Sequence, residues 1–386
     1  MCVTEELYNI SSYIKDFRAA VLECKKNGDL YETVLDRTAF FPEGGGQRAD
    51  TGCIGKVRVI DTQRRNGTIL HLTASPLNVG EIYDCTIDFD ERFHKMQNHT
   101  GEHIMCGIIH TLYGYDNTGF HLGEGYMTFD LDGELSEAQL ADVERTANKA
   151  VWEDVPVSVL YPTPEELCKL EYRSKLDLTE NVRIVSVEGY DKCACCAPHV
   201  ARTGEIGMIK ITDHLRYKGG TRVFAVCGSF ALDDYNKRMS VAKAVSTKLS
   251  LPQEQIHLGV DRLQNEIISL KRELNAARHR ISLGIIDSLK ETSENIIVFT
   301  DLEASDMREI VNRGMSLTRG FCAVFSGNDS DGYKYIIGSE TLDLKKYTSA
   351  LNSAVNGRGG GSSQMIQGSA TARRAEIECA LSNIEL

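Results

Sequence analysis

Two short ligand-like spacings, far apart in the chain, place the strongest constraint on how it can fold. In Asn98–Gly107, NHTGEHIMCG, His99 and His103 are four residues apart; far downstream, in CACCAPHVARTGEIG, Cys195 precedes His199 by four. On a helix, positions i and i+4 share a face, so His99 and His103 can offer two ligands to one divalent ion. A thiolate and an imidazole at short spacing after a strand, with the turn-forming Pro198 between them, can complete a tetrahedral His99/His103/Cys195/His199 set. A fold that uses both pairs must bring that helix and that strand end together. Cys193 and Cys196, neighbours of Cys195, are competing ligands, and the C-x-x-x-H spacing favours Cys195.

The same residues allow a different chemistry. HTGEH matches the H-x-x-E-H pattern of inverzincin peptidases, in which the glutamate, here Glu102, is the general base. Those sites take a carboxylate as third ligand, whereas this chain offers a thiolate and a further histidine. Four protein ligands ordinarily signal a closed, structural zinc. From spacing alone, a structural and a catalytic ion both remain open.

The 386 residues suit two to four domains, and the ordinary apolar and charged content excludes disordered and fibrous classes. No apolar run is long enough to span a bilayer, and the N-terminal MCVTEELYNISSYIKDF lacks a signal-like apolar core. Apart from Cys193, Cys195 and Cys196, the twelve cysteines are scattered, as in a reduced, cytoplasmic protein. The net charge of −12 argues against a uniformly basic nucleic-acid binder. Yet Asn236–Lys290 carries ten Lys/Arg against five Asp/Glu, enough to follow a phosphate backbone or simply to solvate a helix face.

Periodicity predicts a multidomain α+β chain in four pieces. Residues 1–90 alternate in short runs separated by Gly, Asn and Asp turns, a small barrel-like β domain. Residues 91–234 mix two helices with several strands, an α+β domain holding both ligand pairs. Residues 235–290 form a helical coiled-coil segment in which Val260, Leu263, Ile267, Leu270, Leu274, Ala277 and Ile281 follow the 3,4 heptad spacing and call for a partner helix. Residues 291–386 form a small α/β domain with one glycine-rich loop, NGRGGGSSQMIQGSA.

These motifs resemble a known family. HTGEH with CCAPHVARTGEIG resembles the editing domain of alanyl-tRNA synthetase and its freestanding relatives, the AlaX trans-editing proteins. FFPEGGGQRADTG, Phe40–Gly52, resembles that family's glycine-rich element. GRGGGSSQMIQGSA resembles the loop of the tRNA-binding domain that follows editing in the synthetase. The editing region starts almost at the N-terminus, so the resemblance is to the long AlaX form, without an aminoacylation part. Two departures stand out: CAP follows Cys195, and Glu102 occupies a position where the synthetase often has threonine.

The resemblance implies a deacylase that hydrolyses the ester of mischarged Ser-tRNA(Ala), with Gly-tRNA(Ala) a second candidate. A methyl-sized activation pocket rejects an added hydroxyl only about a hundredfold, which leaves work for a second site. It implies one zinc per chain on His99, His103, Cys195 and His199. Gly45, Gly46, Gln47, Asp50, Asn98 and Glu102 are the expected substrate-binding residues, with Glu102 and Gln47 as the catalytic candidates. Arg358, Arg373 and Arg374, flanking the glycine-rich loop, are expected to contact tRNA, and the heptad segment with the C-terminal domain to form a homodimer. The alternatives are a noncatalytic zinc-containing tRNA-binding dimer and a zinc metallopeptidase built on His99, Glu102 and His103.

Overall fold

Apolar residues alternating with polar ones close the N-terminal strands into a barrel. In the computed structural model, which describes residues 4–123, 125–174 and 182–382, six strands take part. They are β1 (Asp16–Asn27), β2 (Leu30–Leu35), β3 (Gly52–Ile54), β4 (Val57–Arg65), β5 (Thr68–Thr73) and β6 (Ile82–Ile87). The order β1-β2-β5-β4-β3-β6 closes on itself, and every neighbouring pair is antiparallel. Ala19, Val21, Leu35, Phe40, Ile54, Val59 and Ile87 fill the interior. The longest strand, β1, is hard to see in the sequence because a register shift between Val21 and Glu23 interrupts its alternation. Cys2 and the end of the C-terminal helical stretch lie outside the described residues.

Helix α1 (Phe89–Tyr113) follows the barrel and ends at Gly114, whose φ of 71° forms a left-handed cap. From Met96 to Ile109 every residue is buried, so α1 runs through the core instead of lying on it. Around it are β7 (Asn117–Leu122), β8 (Met127–Leu131), α2 (Glu137–Glu153), β9 (Val157–Leu160), β10 (Ile184–Val187), β11 (Asp191–Ala194), β12 (Ile209–Tyr217) and β13 (Gly220–Cys227). An antiparallel sheet of order β12-β13-β8-β7 and a three-stranded sheet β9-β10-β11 result. Met96, Ile104, Met105 and Ile109 of α1 pack with Phe129, Val143, Ala147, Val223 and Ala225.

The chain folds into two compact units, Met1–Ala244 and Val245–Leu386. Where the sequence predicts one helical segment over 235–290, there are two helices, α3 (Ser229–Leu249) and α4 (Ile256–Ser288). Ser250, at φ 54°, and Pro252 break the run, since proline offers no N–H and bars the helical conformation before it. The C-terminal fold follows: β14 (Ile296–Thr300), α5 (Ala304–Met315), β15 (Cys322–Asn328), β16 (Gly332–Gly338), α6 (Leu344–Ala354), β17 (Gly357–Gly361), β18 (Met365–Ala370) and α7 (Arg374–Ser382). Its sheet runs β14-β15-β16-β18-β17, with only β14 and β15 parallel.

The glycine-rich loop expected here is instead the β17/β18 hairpin. A Cβ on Gly359 or Gly368 would collide with the Tyr335 hydroxyl, so the glycines are needed for two strands to pass over that ring. Among the described residues no helix is long and apolar enough to cross a membrane.

Candidate metal centre

His99, His103, Cys195 and His199 converge: one donor atom from each lies within 4.8 Å of all the others. The histidines are 2, 3 and 3% exposed, so these polar rings are buried together with no solvent to satisfy them. Tetrahedral zinc, with bonds of roughly 2.3 Å to sulfur and 2.0–2.1 Å to nitrogen, requires sulfur–nitrogen edges of about 3.6 Å. Cys195 Sγ lies 3.6 Å from His99 Nε2 and 3.4 Å from His199 Nε2. The donor set therefore fits a tetrahedral metal of borderline softness.

The rest of each ring is equally specified. Gln47 Oε1 lies 3.0 Å from His99 Nδ1, Thr100 Oγ1 is 3.0 Å from His199 Nδ1, and Asp191 Oδ2 is 3.0 Å from His103 Nδ1. The Thr100 hydroxyl already donates to Met96 O (2.8 Å), so it accepts from His199. The acceptors at His99 and His199 put the ring proton on Nδ1 and leave Nε2 facing the cluster, whereas at His103 burial lowers the pKa but Asp191 and Cys195 outweigh it and raise it well above the usual imidazole range. Arg173 in turn grips Asp191, Nε to Oδ1 at 2.7 Å and Nη2 to Oδ2 at 3.0 Å.

Electrostatics favour ligand forms at two positions. Burial brings the His199 pKa down to about 3, keeping the ring neutral. Burial pushes the Cys195 thiol up, but the imidazoles of His99 and His199 outweigh it and hold it well below the usual thiol range.

Gln47 reaches His99 from a four-residue turn. Gly44 and Gln47 exchange backbone hydrogen bonds of 3.1 and 3.0 Å, with Gly45 at φ 61° and Gly46 at φ 82° between them. Positive φ at both central positions is the signature of a type I′ turn, which glycine adopts without strain. Gly46 O accepts from Leu122 N at 3.1 Å, tying the turn to β7, whose Phe120 stacks on His99 with ring centroids 4.8 Å apart. Gln47 is fully buried, and its Nε2 has no partner among the described residues.

The other expected residues fall into distinct settings. Glu102, 4% exposed, accepts from Asn117 Nδ2 through Oε1 and holds Oε2 4.0 Å from His103 Nε2. Asn98 donates to His94 O (2.8 Å) and accepts from Cys227 N (2.9 Å), pinning α1 to β13. Asp50 is engaged by Phe41 N (2.7 Å) and by the buried Arg92 guanidinium, which anchors the segment after the glycine-rich turn to α1. Cys193 joins His103 and Asp191 in an overlapping donor group, while Cys196 lies against the turn at Gly44 and Gly45.

Sequence reasoning did not single out Thr100, Asn117, Phe120, Arg173 or Asp191. Thr100 sits inside the HTGEH motif, but the others come from separate elements and carry no local signal. Beside the cluster's flanking residues, a cleft of about 400 Å³ has Arg48, Glu91, His94, Lys95, Asn98 and Phe230 among its lining residues, with His94 and Phe230 ring centroids 4.7 Å apart.

In the C-terminal unit, Arg358 is exposed on β17. Arg374 is partly committed: it pairs with Glu378 at 2.9 Å and lies 4.7 Å over the Phe299 ring. Arg373 is exposed at the start of α7.

Two family models match the chain. "tRNA synthetases class II (A)" covers residues 7–91, the barrel with its glycine-rich element, and "Threonyl and Alanyl tRNA synthetase second additional domain" covers 182–224, with Cys195 and His199. The alanyl-tRNA editing protein AlaX-L of Pyrococcus horikoshii is 27% identical, over 97% of this chain and 96% of its own length. The alanyl-tRNA editing protein Aarsd1-A of Xenopus laevis is 27% identical, over 92% of this chain and 88% of its own. The alanine–tRNA ligase of Ignicoccus hospitalis is also 27% identical over 93% of this chain, but only 40% of the ligase is covered. Likeness to the alanyl-tRNA editing proteins thus runs from the barrel through the C-terminal fold.

Proposed function

We propose that this protein is a trans-editing hydrolase that cleaves the aminoacyl ester of mischarged tRNA(Ala), with Ser-tRNA(Ala) its principal substrate and Gly-tRNA(Ala) a second. The observation that carries this reading is the buried three-histidine, one-cysteine cluster with an acceptor behind every imidazole, in a chain similar along its length to alanyl-tRNA editing proteins. Its partners are the tRNA and a second copy of the chain, the latter through the heptad helix and the C-terminal fold. Arg358 and Arg373 offer positive charge for the RNA phosphates.

The reaction adds water to the ester carbonyl and expels the ribose hydroxyl, a bond already activated, so positioning supplies much of what is needed. Zinc held by His99, His103, Cys195 and His199 would supply a fixed positive charge beside the reacting ester and tie together the two segments that bear its ligands, α1 and the stretch after β11. Gln47 turns its Oε1 to His99 and keeps a buried Nε2 donor, without a partner among the described residues, for the substrate's carbonyl or ribose oxygen. Glu102, oriented by Asn117, takes a proton from the attacking water and returns it to the departing ribose oxygen. In the cleft Arg48 and the His94/Phe230 pair suit a phosphate and a base of the RNA 3′ end, beside the acidic Glu91, while Lys95 is held by Ala49 O and Asp50.

The test is deacylation of Ser-tRNA(Ala) beside Ala-tRNA(Ala) and Ser-tRNA(Ser), with wild type and Cys195→Ala compared. Rapid loss of serine from the mismatched tRNA alone, abolished in the variant along with bound zinc, is the expected result. Tight binding of the same tRNA without turnover would replace the enzyme with a zinc-stabilised tRNA-binding protein.

A further inference from the structure

Asp191, Cys193 and Cys195 recur at every second residue, and a strand sends alternate side chains to one face. β11 and the residue just beyond it therefore aim three donors toward α1, which with the three histidines is more than a tetrahedral ion can take. Two overlapping groups result, His99/His103/Cys195/His199 and His103/Asp191/Cys193, and His103 belongs to both. The second group has the makings of a site of its own. Asp191 is buried with Oδ2 3.0 Å from His103 Nδ1, and the Cys193 sulfur makes a long 3.7 Å contact with Ala194 O.

What separates the two groups is Arg173. Its largely buried guanidinium takes both Asp191 oxygens, Nε to Oδ1 at 2.7 Å and Nη2 to Oδ2 at 3.0 Å. The fork is fixed from its own backbone: Arg173 N donates to Lys192 O at 2.7 Å and Ala194 N donates to Arg173 O at 2.9 Å, so Arg173 lies alongside β11. Gly107 on α1 completes the fit, since a Cβ there would lie 2.3 Å from Tyr190 O and 2.7 Å from Asp191 Cβ. A bidentate guanidinium occupies the carboxylate's lone pairs and sets a permanent positive charge beside any ion that Asp191 and Cys193 would share.

We propose that Arg173 is a positioning residue that selects the metal-binding cysteine: by occupying Asp191 as a built-in cation, it closes the His103/Asp191/Cys193 group to divalent metal and leaves the ion to Cys195. The proposal rests on the metal centre of the functional reading and adds the reason why one thiol serves and its neighbour does not. Removing the guanidinium would open a second thiolate site, in which His103, Asp191 and Cys193 offer nitrogen, oxygen and sulfur to a metal of borderline softness.

Cobalt(II), whose thiolate-to-metal charge-transfer band reports sulfur ligation, is the probe, titrated into the chelator-treated full chain. Wild type and Cys193→Ser should each bind one equivalent with that band, and Cys195→Ser should lose it. Arg173→Met/Cys195→Ser should regain the band and bind cobalt about tenfold more tightly than Cys195→Ser alone, and adding Cys193→Ser should abolish the gain. A merely structural role for Arg173 predicts no such gain, because loosening the site cannot create a sulfur ligand. Arg173→Gln in the same background, neutral but still able to donate to Asp191, serves if the methionine variant is unstable and should give the band at higher cobalt. No band in either double variant, a band that survives the added Cys193→Ser, or loss of the band in the Cys193→Ser single variant would overturn the proposal. Wild type that binds cobalt but does not deacylate leaves the role of Arg173 standing, whereas wild type that binds no cobalt removes the metal centre and this proposal together.

Discussion

Asp50→Asn separates a substrate role for this carboxylate from an architectural one. Asp50 and Arg92 are 1 and 0% exposed, and Arg92 also donates to Ser12 O at 3.0 Å and Ala39 O at 2.6 Å. Neutralising Asp50 leaves a buried guanidinium without its close counter-charge, with the Lys95 ammonium, 3.8 Å from Asp50 Oδ1, adding repulsion. Breaking one side of such a pair costs about 3–5 kcal/mol. In a folding unit of this size each kcal/mol shifts Tm by roughly 2–4 °C, so melting of the N-terminal unit should fall by about 10 °C. Circular dichroism melting reads this directly. Asp50→Asn/Arg92→Met, which removes the stranded charge, should recover part of the loss. A fall of less than about 2 °C in the single variant, combined with a raised KM for mischarged tRNA, would refute the architectural assignment and return Asp50 to the substrate.

Thr100→Val removes the acceptor behind His199 while keeping its shape; metal affinity, measured by competition with a chromogenic chelator, should fall about 10- to 100-fold. Gly46→Ala places a Cβ 2.6 Å from Phe120 O at φ 82°, so the turn must shift, and both bound metal and deacylation should drop while the barrel stays folded. His71, buried between Thr38 and Thr33, has its pKa lowered from 6.5 to about 4 by burial. The unfolded chain then binds the extra proton first, so stability is full above pH 6.5 and is lost as pH falls toward 4, by up to about 3 kcal/mol. Urea midpoints of His71→Gln should show a weaker pH dependence than wild type across that window.

Features with a local period were legible in the chain itself. Four-residue spacing puts His99 and His103 on one face of α1 because the helix repeat is local, and C-x-x-x-H spacing likewise distinguishes Cys195 from Cys193 and Cys196. The heptads name the residues that want a partner, though nothing in one chain's periodicity shows that partner. Other features depended on distant segments meeting. Arg92, far from Asp50 in sequence, occupies that carboxylate, and Tyr335 requires glycine in two strands that read as a loop. The acceptors that orient the three imidazoles come from the Gly44–Gln47 turn, from α1 and from β11. Helical and strand periods select which residue types share a face, but the hydrogen-bond partner of a buried polar atom is whichever chain segment the tertiary fold brings within 3 Å.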